Sequence, residues 1–368
     1  MWKPKSRRSP SGALVALSLL VLALLVTGCF PSHPQSTFDA VGPIARMQLD
    51  LFYIIFWMAV LVFVVVEGAL VYAMVKFRRR PGRDLPQQAH GNTRLEVAWT
   101  IAPTLVLAVI AVPTIITIFD TANTPPGDVM EVVVTGHQWW FEFGYPDLGI
   151  STANELHVPV GKTVSLSLES DDVIHSFRVN KLFGTTDVIP GNTNTMWFAA
   201  DEVGEYYGQC AEFCGVAHAK MNFRVIAEEE ADFNIWVANQ QRPAVRPGSG
   251  TQEALGQRVF GLSGCGTCHT IGGSEPEDMQ QGRMEAFMAR EEGAMSPYPA
   301  PNLTHFASRG TFAGSVQNLT DANLRLWLED PSNLKPGTRM KQLATAYNPM
   351  SLESEELDQL VAYLTSLE

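Results

Sequence analysis

The chain has 368 residues, 46% of them hydrophobic, and a formal net charge of −12 at pH 7. That length allows two or three domains. Residues 1–119 carry 11 Lys/Arg against 5 Asp/Glu, whereas residues 120–368 carry 15 against 33. A basic, apolar start followed by an acidic remainder argues against nucleic-acid binding, which needs clustered cations. The acidic part suits a basic protein partner, or simply keeps a domain soluble.

In chain order, Lys3, Lys5, Arg7 and Arg8 precede the apolar run Ala13–Thr27, the layout of a secretory signal peptide. The run ends in Val26-Thr27-Gly28-Cys29, similar to a bacterial lipobox. Cys29 is therefore expected to take a diacylglycerol and become the mature N-terminus. The alternative is a plain signal peptide with an incidental cysteine.

Two longer apolar segments follow, Leu51–Val75 and Val97–Phe119. They predict helices over about 49–77 and 95–119. At 1.5 Å per residue each can cross a ~30 Å hydrocarbon core. Lys76, Arg78, Arg79, Arg80, Arg83 and Arg94 lie between them, and the positive-inside rule puts that loop in the cytoplasm. Cys29 and everything beyond Phe119 then lie outside. The expectation is a multi-pass protein of the bacterial cell membrane, with its soluble part on the extracytoplasmic (periplasmic) side. Glu67 interrupts the first of these spans, and charges there usually face a protein partner or a polar cavity.

Beyond Asp128, short β-branched or alternating runs appear at Val129–Thr135, Thr163–Leu168 and Asn222–Ala227, punctuated by Gly, Pro and Asn. They read as a small β-sandwich or barrel. A short helix is expected at Ala231–Gln240. The segment Arg242–Gly250 reads as a linker, part stiff and part flexible. Its nine residues, at ~3.1–3.6 Å each, span at most about 30 Å, so the two parts it joins stay close while one can turn. Helical periodicity returns at Glu253–Phe260, Asp321–Glu329 and Ser354–Leu367, with Ser354 as an N-cap. No internal repeat is visible. The layout is a leader over 1–29, a membrane hairpin over 30–120, a β domain over 121–228, a linker over 229–250 and an α domain over 251–368.

The densest chemistry lies in Cys210-Ala-Glu212-Phe-Cys214-Gly-Val-Ala-His218-Ala-Lys-Met221. Two thiolates, an imidazole and a thioether suit copper or zinc, and a weakly held Met favours copper. A further ligand should come from elsewhere, and His175 near the start of a strand is the candidate. Two extracytoplasmic cysteines four apart can instead form a disulfide. A mononuclear blue-copper site needs one Cys, two His and a Met, so the second Cys separates the readings. Bridging thiolates hold two coppers and spread one unpaired electron over both.

This pattern resembles the CuA site of cytochrome c oxidase subunit II, and the resemblance covers roughly Phe38–Ala227. It implies a cupredoxin-like fold in which Cys210 and Cys214 bridge the coppers, with His175, His218, Met221 and the Glu212 carbonyl completing the set. It also implies that the Glu212 side chain reaches a magnesium ion at the interface with subunit I. Gly136-His137-Gln138-Trp139-Trp140 is similar to the family's aromatic patch, whose first Trp, here Trp139, receives electrons from cytochrome c. A core or membrane-interface aromatic is the plainer reading. Leu95-Glu96-Val-Ala-Trp99-Thr100-Ile-Ala-Pro103 resembles the start of the family's second membrane helix. There Glu96 would sit at the cytoplasmic mouth of a proton channel in subunit I, or be an ordinary helix-end carboxylate. Two departures are visible: Trp140-Phe141 stands where relatives often have Tyr-Trp, and Asn192 stands where many have Arg.

Cys265-Gly-Thr-Cys268-His269 is a c-type haem attachment sequence. A Cys-x-x-Cys pair alone also fits a redox disulfide or a zinc half-site. The following His, the extracytoplasmic side and a helical surrounding select haem c, with His269 as proximal ligand. Among Met279, Met284, Met288, Met295, Met340 and Met350, the distal ligand is expected to be Met340. Its Pro336-Gly337-Thr-Arg-Met340 loop resembles that of class I cytochromes c. Lys335, Arg339 and Lys341 make a local positive patch that would steer this part onto an acidic copper domain. Five cysteines are then assigned: one to lipid, two to copper, two to haem.

The fold class expected is multi-domain: a two-helix transmembrane hairpin, an all-β cupredoxin-like domain and an all-α class I cytochrome c domain. The resemblance implies a subunit that takes electrons through haem c and CuA and hands them to subunit I for oxygen reduction and proton pumping. Its partners would be subunit I, the other oxidase subunits, the membrane, and a cytochrome c or bc complex as donor. The alternative is a stand-alone membrane-anchored copper and haem carrier. A quinol oxidase subunit lacks the copper ligands, and a nitrous oxide reductase needs a large catalytic copper domain for which there is no room.

Overall fold

The computed structural model describes residues 16–21, 33–78, 82, 91–272, 300–347 and 351–368. Cys29, Met279, Met284, Met288, Met295 and Met350 lie outside the described residues.

Helix α1 spans Pro43–Lys76 and α2 spans Thr93–Ala122. Both carry exposed apolar side chains along their length, among them Leu61, Phe63, Leu105 and Leu107. α1 has 34 residues, about 51 Å at 1.5 Å each, which exceeds a ~30 Å hydrocarbon core. It starts earlier than the hydropathy predicts because its first turn belongs to the soluble part. Pro43 sits at the first helical position, where its missing N–H costs nothing. Ile44 and Ala45 are buried, and Val41 and Ile44 join the core of the β-sandwich. Val41 N–H donates to Lys181 O at 2.8 Å, Asp201 N–H to Val41 O at 3.0 Å, and Arg46 pairs with Asp201. α2 opens on Asn92, whose side chain accepts from Leu95 N–H at 3.3 Å. Glu96 returns the bond by accepting from Asn92 N–H at 3.2 Å, a helix-end role.

Ten strands follow: β1 (Val129–His137), β2 (Trp140–Tyr145), β3 (Ile150–Ala153), β4 (Glu155–Pro159), β5 (Thr163–Ser170), β6 (His175–Arg178), β7 (Thr185–Val188), β8 (Asn194–Phe198), β9 (Gly204–Cys210) and β10 (Asn222–Glu228). They form two five-stranded sheets, ordered β3-β2-β1-β5-β8 and β4-β10-β9-β6-β7. Three of these strands contain the runs expected from the sequence. β5 and β10 alternate, turning Val164, Leu166 and Leu168, and Phe223, Val225 and Ala227, into the core. Between the sheets Phe141, Phe143, Phe177 and Phe223 interlock, with Phe177 and Phe223 stacked at 4.2 Å. Helix α3 (Glu230–Gln240) covers one flank, where Trp236 stacks on His157 at 4.3 Å.

The C-terminal body contains α4 (Gln252–Leu262), a small hairpin of β11 (Thr311–Phe312) and β12 (Gln317–Asn318), α5 (Asp321–Glu329), α6 (Pro331–Leu334), α7 (Arg339–Leu343) and α8 (Ser354–Leu364). The hairpin departs from the all-α expectation. α4 and α8 pack around Phe260, Leu324, Leu360, Tyr363 and Leu364. α8 is capped by Glu353 rather than Ser354, because Glu353 and Glu356 form a reciprocal capping box. The Ser354 hydroxyl instead accepts from Arg325 at 2.8 Å.

The linker is less free than its composition suggests. Arg242 O accepts from His305 Nε2 at 2.9 Å, and Ala244 N–H donates to Gly272 O at 2.9 Å. Ala244 is buried in the C-terminal core, which fixes the first part of the linker to the body it precedes.

The junction between α1 and the sandwich depends on Gly42, where a Cβ would stand 2.6 Å from Ala199 O and 2.9 Å from Leu182 O. Gly42→Val is expected to destabilise the soluble part by about 1–3 kcal/mol, the usual range for overpacking. A thermal melt of the full chain in detergent checks this; an unchanged midpoint would refute the junction.

Candidate metal centres

β9 ends on Cys210, whose N–H donates to Met221 O at 2.9 Å, closing the loop between β9 and β10. Ala211 N–H donates to Ser176 O at 3.1 Å, which brings the loop beside His175, the first residue of β6. Four side chains converge there out of water: His175, Cys210, Cys214 and Met221 are all buried, and His218 is half-buried.

The sulfurs of Cys210 and Cys214 are 3.7 Å apart, against about 2.05 Å for a disulfide. His175 Nδ1 lies 4.0 Å from Cys210 Sγ, His218 Nδ1 3.6 Å and Met221 Sδ 3.8 Å from Cys214 Sγ. Glu212 O lies 3.2 Å from Cys210 Sγ. Tetrahedral metal bonds of about 2.0–2.3 Å place neighbouring ligands roughly 3.3–3.8 Å apart. The donor set therefore fits metal held between the two sulfurs, and its softness fits copper. The hydrogen bond between the two sulfurs pulls the Cys210 thiol down, against its burial, and pushes the Cys214 thiol up. Binding a metal through both sulfurs releases their protons.

Two supports for the site escaped the sequence reading. Asp172 Oδ1 lies 2.9 Å from His175 Nε2, directing the opposite nitrogen at the sulfurs. Burial pulls the His175 imidazole down, but Asp172 and Cys210 outweigh it and leave it raised. Asp172 is itself fixed by the N–H groups of Val173 at 2.7 Å and Gln138 at 2.8 Å. The second support is Gly136, where a Cβ would stand 2.7 Å from the His175 ring. A carboxylate three residues before the His was the only signal for Asp172.

In the C-terminal body, Cys265 and Cys268 lie on a turn after α4, and His269 N–H donates to Cys265 O at 3.0 Å. His269 Nδ1 donates to Pro301 O at 2.8 Å, leaving Nε2 with its lone pair. Burial lowers the pKa of this imidazole. Cys265, Cys268, His269 and Met340 line one deep, mostly apolar cavity. Arg309, also unforeseen, is half-buried at its wall, and desolvation pushes it down to about 10. An apolar cavity with two thiols, a free imidazole nitrogen, a thioether and a half-buried cation fits a haem with its acidic side chains.

The sandwich closes this cavity. Gln138, Trp139, Trp140 and Asn154 belong to its wall. Trp139 is 8% exposed, and its Nε1–H donates to Cys214 O at 3.0 Å. Trp139 therefore touches both candidate sites. Glu212 keeps its carbonyl at the sulfurs and its side chain exposed. Glu96 stays far along the chain at the α2 start, engaged in its cap. Lys335 is no surface cation, being 4% exposed.

Three family models match: cytochrome c oxidase subunit II, transmembrane domain, over residues 31–116; its periplasmic domain over 149–228; and cytochrome c over 253–368. A cytochrome c oxidase subunit 2 from Alkalihalophilus pseudofirmus is 36% identical over 100% of this chain and 98% of its own length. The chain belongs to the cytochrome c oxidase subunit 2 family. A subunit 2 from Bacillus sp. strain PS3 is 35% identical over 94% of this chain and 95% of its own. A quinol oxidase subunit 2 from Bacillus spizizenii is 33% identical, over 63% of this chain and 73% of its own. The crystal structure of the periplasmic domain of subunit II from Bradyrhizobium japonicum is 32% identical over 32% of this chain and 97% of that one, with a TM-score of 0.31. As a subunit 2, the chain is part of an oxidoreductase: apolar helices anchor it, the sandwich is the periplasmic domain with copper chemistry, and the C-terminal body is a cytochrome c domain with haem chemistry.

Gly136→Ala drives a methyl group into the His175 ring. Copper content per chain is expected to fall at least tenfold at limiting copper, a loss typical of a disturbed ligand support. Metal analysis of the folded protein reads this; full copper content would show that the approach of Gly136 is not needed.

Proposed function

We propose that this chain is the electron-entry subunit of a proton-pumping haem–copper oxidase, relaying electrons from an extracytoplasmic donor to the subunit that reduces oxygen to water. The observation that carries the reading is Trp139, which lines the cavity of Cys265, Cys268, His269 and Met340 and whose N–H holds the Cys214 carbonyl. When bound, haem c and a dinuclear copper centre supply two one-electron carriers. Cys265 and Cys268 would attach the haem, and His269 and Met340 would ligate its iron. His175, Cys210, Cys214, His218, Met221 and the Glu212 carbonyl would hold the coppers. Burial of the copper ligands excludes water, so little solvent reorganises when charge changes there.

Order of transfer follows from access. Trp139 is buried under the C-terminal body, so a donor meets the haem side first. A cytochrome c or bc complex is the class of donor we assign. Glu212 and Phe213, the latter 76% exposed, lie together on the copper loop and are the surface offered to subunit I. A magnesium ion held by Glu212 belongs at that interface, and Glu96 faces the same partner at the cytoplasmic side. The basic loop after α1 lies in the cytoplasm, making the chain a two-span bacterial membrane protein.

Metal and haem analysis of the purified complex tests this, with two coppers, one interfacial magnesium and one haem c expected per chain beside a large multi-helix partner. Cys214→Ser should abolish the mixed-valence copper signal and most oxidase activity. Met340→Ala should remove the Met–iron absorption band and slow copper reduction. An isolated chain carrying its metals without any such partner supports a stand-alone carrier instead.

We also propose that Cys29 is the lipidated N-terminus, on the strength of the Val26-Thr27-Gly28-Cys29 run after a basic leader. Mass spectrometry of the native subunit should find an acylated chain beginning there. An intact Met1 would refute it.

A further inference from the structure

The seam between the sandwich and the C-terminal body is built from polar groups that each side buries and the other side satisfies. Glu155 of β4 is 2% exposed, and its carboxylate accepts from Thr311 N–H at 2.7 Å, Thr311 Oγ1 at 2.7 Å and Gly310 N–H at 3.3 Å. Asn222 N–H donates to Gly314 O at 3.0 Å, and Ser315 Oγ to Asn154 O at 3.2 Å. The β11–β12 turn that makes these contacts has Ala313, Gly314 and Ser315 all at positive φ, 55°, 75° and 51°. Such a backbone is unfavourable for Ala and Ser and persists where surroundings enforce it.

Lys335 lies at the centre of this seam. Its ammonium donates across it to the Trp139 carbonyl, and within its own body to Ala313 O at 3.2 Å. Lys220 of the copper loop reaches back to the Leu334 carbonyl. Room for the ammonium exists because residue 314 is glycine: a Cβ there would lie 2.5 Å from Lys335 Nζ and 3.2 Å from Trp139 O. Among the described residues, the ion pairs found include none for Lys335, so carbonyl dipoles hold its charge. A buried lysine without a carboxylate is expensive to keep. Burial does push its pKa down, to about 7, and the charge of the neighbouring Lys220 acts in the same direction. Lys335 also lines the cavity of Cys265, Cys268, His269 and Met340, on the side that Trp139 closes.

We propose that Lys335 is a positioning residue whose buried ammonium pins the C-terminal body to the Trp139 main chain and places positive charge beside both redox sites. The proposal rests on the electron-entry reading above. It makes the closed arrangement the resting state of the chain. The indole of Trp139 is then held between the cavity and the Cys214 carbonyl by main-chain attachment on one side and its own N–H on the other. Arg339, 51% exposed, adds a peripheral contact to Asp172 at 3.4 Å, but a solvated pair of that kind holds little.

The test uses the full chain, loaded with copper and haem, and two readouts. Hydrogen exchange follows the amides of Thr311 and Asn222 at the seam, with those of Leu324 and Leu360 as internal controls. Redox titration at pH 6, below the value near 7 to which burial pushes Lys335, gives the haem midpoint potential with the ammonium charged. In Lys335→Met, seam exchange should accelerate by about tenfold or more while the controls stay protected. The haem potential should fall, because loss of a nearby cation favours the oxidised form. Where Lys335→Met fails to fold, seen as fast exchange at Leu360, Lys335→Gln takes its place with the same two readouts. Native seam exchange or an unmoved potential in the folded variant overturns the proposal. A wild-type protein that binds no haem or shows no mixed-valence copper overturns the electron-entry reading instead, and does so before any variant is made.

Discussion

The hydrogen bond from Cys210 N–H to Met221 O, 2.9 Å long, closes the loop on which the copper chemistry depends. Closing it at the end of the β9–β10 ladder turns a run of twelve residues into a compact cup, with both thiols and the thioether facing inward. The neighbouring bond from Ala211 N–H to Ser176 O then sets β6 alongside, which delivers His175 from 35 residues earlier in the chain. Because the strands are rigid, the ligand atoms are set before any metal arrives. Preorganisation of this kind limits the rearrangement that accompanies a change of charge.

The same loop also organises its surroundings. Cys214 O receives the N–H groups of both Trp139, at 3.0 Å, and the Gln138 side chain, at 2.8 Å. Those two residues form one wall of the cavity in the C-terminal body. The copper loop, the aromatic patch and the haem cavity are thus consecutive layers of one packed structure. Glu155 and Lys335 explain why the layers stay together. Each is a buried polar group with a hydrogen-bond partner across the seam, and separating the bodies would leave both to be resolvated. A linker of nine residues alone would allow the C-terminal body to swing; these contacts, and the anchoring of Ala244, work against it.

At the other end of the sandwich, α1 is joined to the core through Val41 and Ile44. Its first turn hydrogen-bonds to the segment after β6, so the membrane hairpin and the copper domain share a fixed orientation. A fixed orientation keeps the copper loop at a constant distance from the apolar helices.

Much of this was readable in advance. Apolar segments long enough for a bilayer, alternating strands in β5 and β10, and the helix at Asp321–Glu329 are local patterns, set by side-chain periodicity against water or lipid. The Cys210–Met221 run and the Cys265–His269 motif are local as well, since the chemistry needs those atoms within a few residues of one another. The early start of α1 was not legible, because hydropathy reports the lipid-facing residues and not the turn that packs on the sandwich. Nor were Asp172, Gly136 and Arg309, whose roles arise from residues met only after folding. Lys335 is the clearest case. In the sequence it joined Arg339 and Lys341 as one of three surface cations, and folding buries it under Trp139, almost 200 residues away. Sequence alone determined which candidate ligand groups this chain carries and how closely they follow one another, because both are written in residue type and spacing. Only the tertiary structure decided that the two sites share a wall, because that follows from which buried polar groups find their partners across the seam.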